Sequence, residues 1–365
     1  MRRFFRSILL RPVLWGTRKF SSRPERKRIF TALDKLYQDI HDQPGKKGTI
    51  LPFDLPTGKF IIFSDQHKGA RNGADDFAGA EPNYLAALDH YSSQGFCLVC
   101  LGDSEELWEN SLARVKACNR NTFEAEKKFI EKKAFVKIIG NHDLYWGNDP
   151  FAGSQLKEIY GEEVKVYEAV VLAAAVGDRT LRIFCAHGHQ GDAQSDGNWF
   201  SKFFVARIWA PLQAWLYINP NTPAYNNEKK TLHNEIMYEW SSLRKDALLI
   251  TGHTHQPVFG SLTHIERLYK RLQVAEAGKD EAATAEVNRE ISKTERRFAA
   301  IAVDYLTMKP TYFNSGCCCF SDGDITGIEI ADGCIRLVKW TMAGSRQPHR
   351  QLLEEAPLQE LMTRL

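Results

Sequence analysis

At 365 residues the chain is long enough for one large core with insertions or for two modest domains, and its 43% hydrophobic and 25% charged residues are ordinary for a soluble globular protein. No apolar run approaches the roughly 18 residues of a membrane-spanning helix. The net charge of +3 conceals an asymmetry, because residues 1–28 hold ten Lys or Arg against a single acid, Glu25, and the remainder is acidic.

The basic head opens the chain. Its apolar stretch Ile8-Leu9-Leu10 is broken at once by Arg11 and no small-residue cleavage site follows, which argues against a secretory signal. With Phe4, Phe5, Leu9, Leu10, Leu14 and Trp15 among its arginines, the head suits an anionic membrane surface. A basic tail with no specific partner and a cleavable transit peptide are the other readings. Residues 1–57 are therefore taken as a basic N-terminal extension. The eight cysteines include the run Cys317-Cys318-Cys319, a poor disulfide framework that favours a reducing cytoplasm. Cys97 and Cys100 have redox or zinc spacing, but they lie in the apolar run Phe96–Leu101, where cysteine acts as a small hydrophobe in a buried strand. The expected location is cytoplasmic with peripheral membrane association.

From about residue 58 to 255 one pattern recurs: a short apolar run ends in a loop carrying a block of polar residues. Phe60–Phe63 precedes Asp65-Gln66-His67, and Phe96–Leu101 precedes Gly102-Asp103-Ser104-Glu105-Glu106. Phe135–Ile139 precedes Gly140-Asn141-His142-Asp143, Leu181–Cys185 precedes His187-Gly188-His189, and Ala247–Thr251 precedes Gly252-His253-Thr254-His255. Continuous apolar runs of this length predict strands buried on both faces. Helix-like stretches such as Tyr84–Tyr91 and Phe123–Lys133 lie between them. The alternation predicts an α/β sandwich with its site at the carboxyl ends of the strands.

Residues 193–245 interrupt the pattern between the fourth and fifth blocks. Trp199, Phe200, Phe203, Phe204, Ile208, Trp209, Leu212, Trp215, Leu216 and Tyr217 recur at steps of three and four, an apolar helical stripe that Pro211 should kink. Leu232, Ile236, Trp240 and Leu243 mark one face of a second helix. The stripe is either core or a lid over the site. Within residues 258–309, Ala275–Arg297 reads as an exposed charged helix. Strands resume near Thr311–Asn314. Gly327–Trp340 reads as a hairpin turning at Asp332-Gly333, an edge pair closing the sheet. Residues 341–365 read as a surface helix or tail.

The five blocks hold six of the eleven histidines, together with aspartates and an asparagine. Asp65 and His67, two residues apart on a loop, can point at one ion. Asp103 has two carboxylate oxygens and can bridge two. Asn141 offers a neutral amide oxygen, and His253 and His255 offer imidazoles, as does either His187 or His189. If Asp103 is shared, Asp65, His67, Asp103 and His255 make one set of four, and Asp103, Asn141, His187 and His253 make the other. Mixed N/O donors without thiolate suit Mn, Fe or Zn, with Mn preferred.

In order, the blocks resemble the D-x-H, G-D-x-x-[D/E], G-N-H-[D/E], H and G-H-x-H pattern of the calcineurin-like metallophosphoesterases, with anchors at positions 65, 103, 141, 187 and 253. The resemblance implies a four-layer α/β/β/α sandwich over residues 58–340, with helical insertions at about 193–245 and 258–309 and a tail at 341–365. It implies a hydrolase with two divalent ions, cleaving a phosphoester or pyrophosphate bond by attack of a hydroxide that bridges the ions. The family habit of a ligand histidine directly before glycine favours His187 over His189. His142 is then the catalytic acid that protonates the leaving oxygen, and Asp143 orients it.

Gly102-Asp103-Ser104-Glu105-Glu106-Leu107-Trp108 further resembles the G-D-x-x-E-x-W of the UDP-2,3-diacylglucosamine pyrophosphatases, a branch with an acyl-binding helical insertion between the same two blocks. That branch commonly has Arg where this chain has His142, and His-Gly-Asp where it has His187-Gly188-His189, so the exact substrate stays open. A phosphodiester or pyrophosphate in a lipid-like or nucleotide-containing molecule is the expected substrate class. A phosphoprotein phosphatase, a nuclease and a non-catalytic scaffold on the same fold are the alternatives. A scaffold should have lost a ligand or His142, and neither is missing. A nuclease should interleave basic and stacking aromatic residues around the blocks, and this sequence does not, so no specific nucleic-acid partner is indicated.

Overall fold

A run of four apolar residues is stable as a strand only when both its faces are covered, and Phe60–Phe63 (β2) meets that condition. Phe60 and Ile62 pack with Val99, Leu101, Val136 and Ile138 of neighbouring strands and with Val170, Leu172, Ile183 and Ile250 of a second sheet. Ile61 and Phe63 face the opposite way, onto Tyr84, Leu88 and Tyr91 of the helix Phe77–Ser93. In the second sheet, Val171, Phe184 and Leu249 point outward onto Ile29, Leu33 and Ile40 of the helix Arg26–Asp42 and onto Trp240 of the helix Asn227–Ser242. The order of layers is helix, sheet, sheet, helix, as the α/β/β/α expectation required.

The computed structural model describes residues 24–191, 227–245, 247–278, 280–294, 308–345 and 347–365. Within them one seven-stranded sheet runs β14 (His349–Pro357), β13 (Cys334–Thr341), β12 (Ile325–Ala331), β2, β3 (Cys97–Leu101), β4 (Phe135–Ile138) and β5 (Val166–Tyr167). The other runs β1 (Gly48–Pro52), β6 (Ala169–Val176), β7 (Arg179–Ala186), β8 (Ala247–Thr251), β11 (Tyr312–Asn314), β9 (Val258–Phe259) and β10 (Leu262–Thr263). β2, β3 and β4 are parallel neighbours, and so are β7 and β8. The loops leaving their carboxyl ends therefore emerge side by side, which brings the five blocks to one edge of the sandwich.

Both ends of the chain differ from the sequence expectation. Residues 24–57 are not a loose extension, because the Arg26–Asp42 helix buries Ile29, Leu33, Leu36 and Ile40 and β1 forms the edge of a sheet. Residues 341–365 are not a tail. β14 pairs antiparallel with β13, and the helix Leu358–Thr363 buries Leu358, Leu361 and Met362 in the core between the sheets. The hairpin β12–β13 turns at Asp332-Gly333 as expected, with both residues at positive φ, but it is interior: β2 flanks one side and β14 the other. The charged segment forms two helices, His264–Ala277 and Glu281–Thr294. In the Asn227–Ser242 helix Ile236 and Trp240 are buried as expected, while Leu232 is exposed, as is Leu243 just beyond the helix end; Met237 takes the inward place. The arginine-rich head up to residue 23 and the stripe Trp199–Tyr217 lie outside the described residues. Among the described residues, no helix is long and apolar enough to cross a membrane.

Candidate metal centre

The loops after β2, β3, β4, β7 and β8 converge. Asp65, His67, Asp103, His253 and His255 all hold positive φ, between 49° and 66°. Non-glycine residues in that region cost on the order of 1–3 kcal/mol each and persist where surrounding contacts over-determine them. Two glycines are there because nothing larger fits. A Cβ on Gly140 would lie 2.1 Å from Asp103 Oδ1, and one on Gly252 would lie 2.4 Å from Asp65 Oδ2. The glycine before Asn141 and the glycine before His253 let neighbouring loops touch.

The donor atoms form two overlapping groups. Asp65 Oδ1 is buried and accepts no hydrogen bond, although His255 Nε2 lies 3.1 Å away, His67 Nε2 3.9 Å and His187 Nε2 4.0 Å. Its other oxygen accepts the backbone N–H of His253 at 2.9 Å. His67 Nε2 and His255 Nε2 face each other at 3.2 Å. Asp103 Oδ2 stands between the groups, 3.2 Å from His187 Nε2 and 3.8 Å from His67 Nε2. Asn141 Oδ1 lies 3.3 Å from His187 Nε2. Ligand atoms of Asp103, His187 and His253 all lie within 4.8 Å of one another. His187 donates its Nδ1–H to the Leu101 carbonyl at 2.8 Å, which turns Nε2 toward the centre. A buried carboxylate oxygen without a donor, ringed by imidazole nitrogens, is the arrangement expected of a ligand atom, and these N/O donors suit a divalent ion.

The electrostatics agree. Burial opposes charge on every group, yet Asp65 is held below the usual carboxylate range by His255 and His187, and Asp103 well below it by His187 and His142. Against burial, Asp103 and Asp65 hold His187 up at about 9, and Cys317 and Asp65 hold His255 up at about 10. The acids draw in whatever positive charge they can reach. His253 is lowered well below its ordinary value by burial and by His187, so it presents a neutral imidazole.

His142 sits beside the donors. Its Nδ1 lies 2.8 Å from Glu106 Oε2, its ring stacks on Trp108 at 4.8 Å between centroids, and burial is outweighed by Glu106 and Asp103, which raise it to about 10. Glu106 also accepts Nδ1–H of His67 at 2.9 Å, so one carboxylate serves a donor residue and the adjacent imidazole. The expectation for Asp143 is not met. Its two oxygens accept the backbone N–H groups of Gly140 (2.6 Å) and Ser104 (2.8 Å), clipping the loop after β4 to the loop after β3, and Glu106 is the group that orients His142. His189 lies next to His187, centroids 5.3 Å apart, with its Nδ1 buried and unpartnered, and its ring is pushed down to about 3 by burial and by His187.

Beneath the centre runs a fully buried ionic network. Lys68 contacts Glu126 at 2.6 Å and Glu105 at 3.1 Å, while Lys137 on β4 contacts Glu105 at 2.8 Å. Trp146, Tyr160 and Tyr84 donate further hydrogen bonds to the two glutamates. This ties the loops after β2 and β3 to β4. In the sequence Glu105 and Lys137 look like ordinary charged residues, and Glu106 stands out only as a motif position without a partner. The segment 314–319 was also missed. It braces the first and fifth blocks: Cys318 N–H donates to the Asp65 carbonyl (3.2 Å), Asn314 donates to the Gly252 carbonyl (2.7 Å), and Cys319 Sγ lies 3.7 Å from His255 Nδ1.

The profile of the calcineurin-like phosphoesterase family matches residues 58–257, the span that carries all five blocks. No curated protein matches the chain significantly. Among solved structures the chain is similar to a conserved uncharacterized protein described as a predicted phosphoesterase from Streptococcus pneumoniae TIGR4, at 12% identity over 81% of this chain and 98% of that one, with a TM-score of 0.27. It is similar to a single mutant of Vps29 from Entamoeba histolytica at 13% identity, over 81% and 99%, with a TM-score of 0.31. It is similar to a dimetal phosphatase from Danio rerio at 9% identity, over 82% and 98%, with a TM-score of 0.34. Structural similarity at such TM-scores carries no weight beside the family match.

Proposed function

The chain belongs to the calcineurin-like phosphoesterase family, a binuclear metal-dependent hydrolase of phosphate esters, and on that premise we propose that Asp65, His67, Asp103 and His255 hold one divalent ion and Asp103, Asn141, His187 and His253 hold the other. The observation that carries this reading is the buried Asp65 Oδ1, without a hydrogen bond and faced by three imidazole nitrogens, next to an Asp103 Oδ2 that lies between His67 and His187. Manganese is the preferred metal, with iron or zinc as the other choices, because no thiolate enters the donor set. Ions in such sites supply charge to a phosphoryl group and make water acidic enough to attack near neutral pH.

The chain's own residues do the rest. Glu106 takes the Nδ1–H of His142, so Nε2 is the atom that holds the second proton and gives it to the leaving oxygen. Trp108, stacked on the ring, fixes its plane. Gly140 and Gly252 keep the loops close enough for Asp103 and Asp65 to serve their neighbours.

For the substrate we favour a phosphodiester or pyrophosphate in a lipid-like or nucleotide-containing molecule. Support comes from the Glu106-Leu107-Trp108 run and from the aromatic composition of 193–245 between the fourth and fifth blocks. The basic head suits a cytoplasmic protein that works at an anionic membrane surface. The test is a substrate panel on the full chain loaded with Mn²⁺: bis-p-nitrophenyl phosphate, phosphomonoesters, cyclic nucleotides, nucleotide-sugar lipids and a phosphopeptide. Preference for a diester or lipid pyrophosphate, lost on chelation, supports the reading. Preference for the phosphopeptide replaces it with a protein phosphatase. Deleting 199–217 should spare bis-p-nitrophenyl phosphate relative to a lipid substrate if the stripe is a lid.

A further inference from the structure

Each donor histidine needs a partner for the ring nitrogen that faces away from the ion, because that partner fixes the tautomer and the ring's direction. In this centre the partners differ in kind. His187 Nδ1–H goes to a backbone carbonyl and His67 Nδ1–H to a carboxylate. His255 turns Nε2 toward Asp65 and His67, and its Nδ1 meets the Cys319 sulfur at 3.7 Å. Cys319 is held rather than incidental. It is buried, and the two residues before it are pinned, Cys318 N–H to the Asp65 carbonyl at 3.2 Å and the Cys317 carbonyl to Thr326 N–H at 3.0 Å. His67, His255 and Cys319 also bring one nitrogen or sulfur atom each within 4.8 Å of one another.

We propose that Cys319 is a positioning residue of the ion site formed with Asp65 and His67: its sulfur accepts the Nδ1–H of His255 and aims Nε2 at the ion, the place the Leu101 carbonyl takes for His187 and the Glu106 carboxylate for His67. The proposal rests on the two-ion reading above. Sulfur accepts a longer and weaker hydrogen bond than oxygen does, so this site is the one whose occupancy depends on a thiol.

The test uses the full chain titrated with Co²⁺, with bound metal per chain, absorption spectrum and thermal melting read on each sample. Cys319→Val should weaken one of the two ions by about ten- to a hundred-fold, the usual effect of removing an outer partner of a ligand, and leave the other unchanged. Cys319→Ser, whose hydroxyl can accept the same N–H, should restore most of that loss. Cys334→Ser, far away on β13, should bind as the parent does. If Cys319→Val does not melt cooperatively, Cys319→Ala carries the same comparison. Unchanged affinity for both ions in a folded Cys319→Val or Cys319→Ala protein would overturn the proposal. So would a sulfur-to-cobalt charge-transfer band that vanishes in Cys319→Ser, because the sulfur would then be bonded to the ion itself. A parent chain that takes up no ion would remove the two-ion reading and the proposal together, whereas two ions bound without any effect of Cys319 would remove the proposal alone.

Discussion

At the scale of residues, Glu106 joins the candidate ligands to His142, accepting Nδ1–H of His67 at 2.9 Å and lying 2.8 Å from His142 Nδ1. Asp65, His67, Asp103, Asn141, His187, His253 and His255 announce themselves because imidazoles and carboxylates directly after apolar runs are rare without a task. The structure brings their donor atoms within a few ångströms of one another, and that proximity motivates their proposed role as ligands. Glu106 stands in the sequence as the acidic position of the second block, but its task shows only in its two contacts, His67 and His142. Asp143 misled for the opposite reason. Adjacency in sequence to His142 suggested contact, but successive residues in a tight loop point apart, and its oxygens close the loop instead. Replacing His142 by Ala should leave both ions bound and slow hydrolysis of an unactivated ester by roughly 10²–10⁴-fold, the usual worth of a general acid. A substrate with a good leaving group, such as p-nitrophenolate, should lose much less. Loss of an ion from His142→Ala, measured by metal analysis, would make His142 a ligand and remove its role as the acid.

At the scale of elements, the strands were the easiest part to read. β2, β3 and β8 are buried along nearly their whole length, and β4 and β7 along the part that leads into their loops, so apolar runs mark them in the sequence. The buried ionic network under them was not readable, because Lys68, Glu105, Glu126 and Lys137 are residues that usually face water. In the fold they are fully buried and tie the loops after β2 and β3 to β4. Removing one member of such a network leaves its partner charged and unpaired in the interior, which is strongly destabilising, on the order of 3–5 kcal/mol. Lys137→Met should approach the lower end, about 3 kcal/mol by urea denaturation, because Lys68 still faces Glu105 at 3.1 Å. The double variant Lys137→Met with Glu105→Gln should recover part of that loss. A Lys137→Met protein as stable as the parent would mean that the network does not hold the loops.

At the scale of the whole molecule, the α/β/β/α order followed from the alternation of apolar runs with helical stretches, but the limits of the domain did not. The Arg26–Asp42 helix looks like part of a basic tail because its exposed face is charged, and only the buried Ile29, Leu33, Leu36 and Ile40 reveal the other face. The C-terminal strand β14 has mostly polar residues because it is an edge, and the short helix after it closes the core with Leu358, Leu361 and Met362. Truncation after Thr341 should therefore lower the melting temperature sharply, since each of those three side chains contributes about 1.5–3 kcal/mol by burial and β13 would become an open edge. A truncated chain that melts like the parent would restore residues 341–365 to the status of a tail. A two-ion phosphoesterase centre built on Asp65 and Asp103 can be checked by metal content and bis-p-nitrophenyl phosphate hydrolysis measured on the same samples of the parent chain and Asp103→Ala. The parent chain should hold two divalent ions, lose activity with chelator and regain it with Mn²⁺, and Asp103→Ala should lose ions and activity together; turnover that persists in the chelated parent, or in Asp103→Ala, would rule such a centre out.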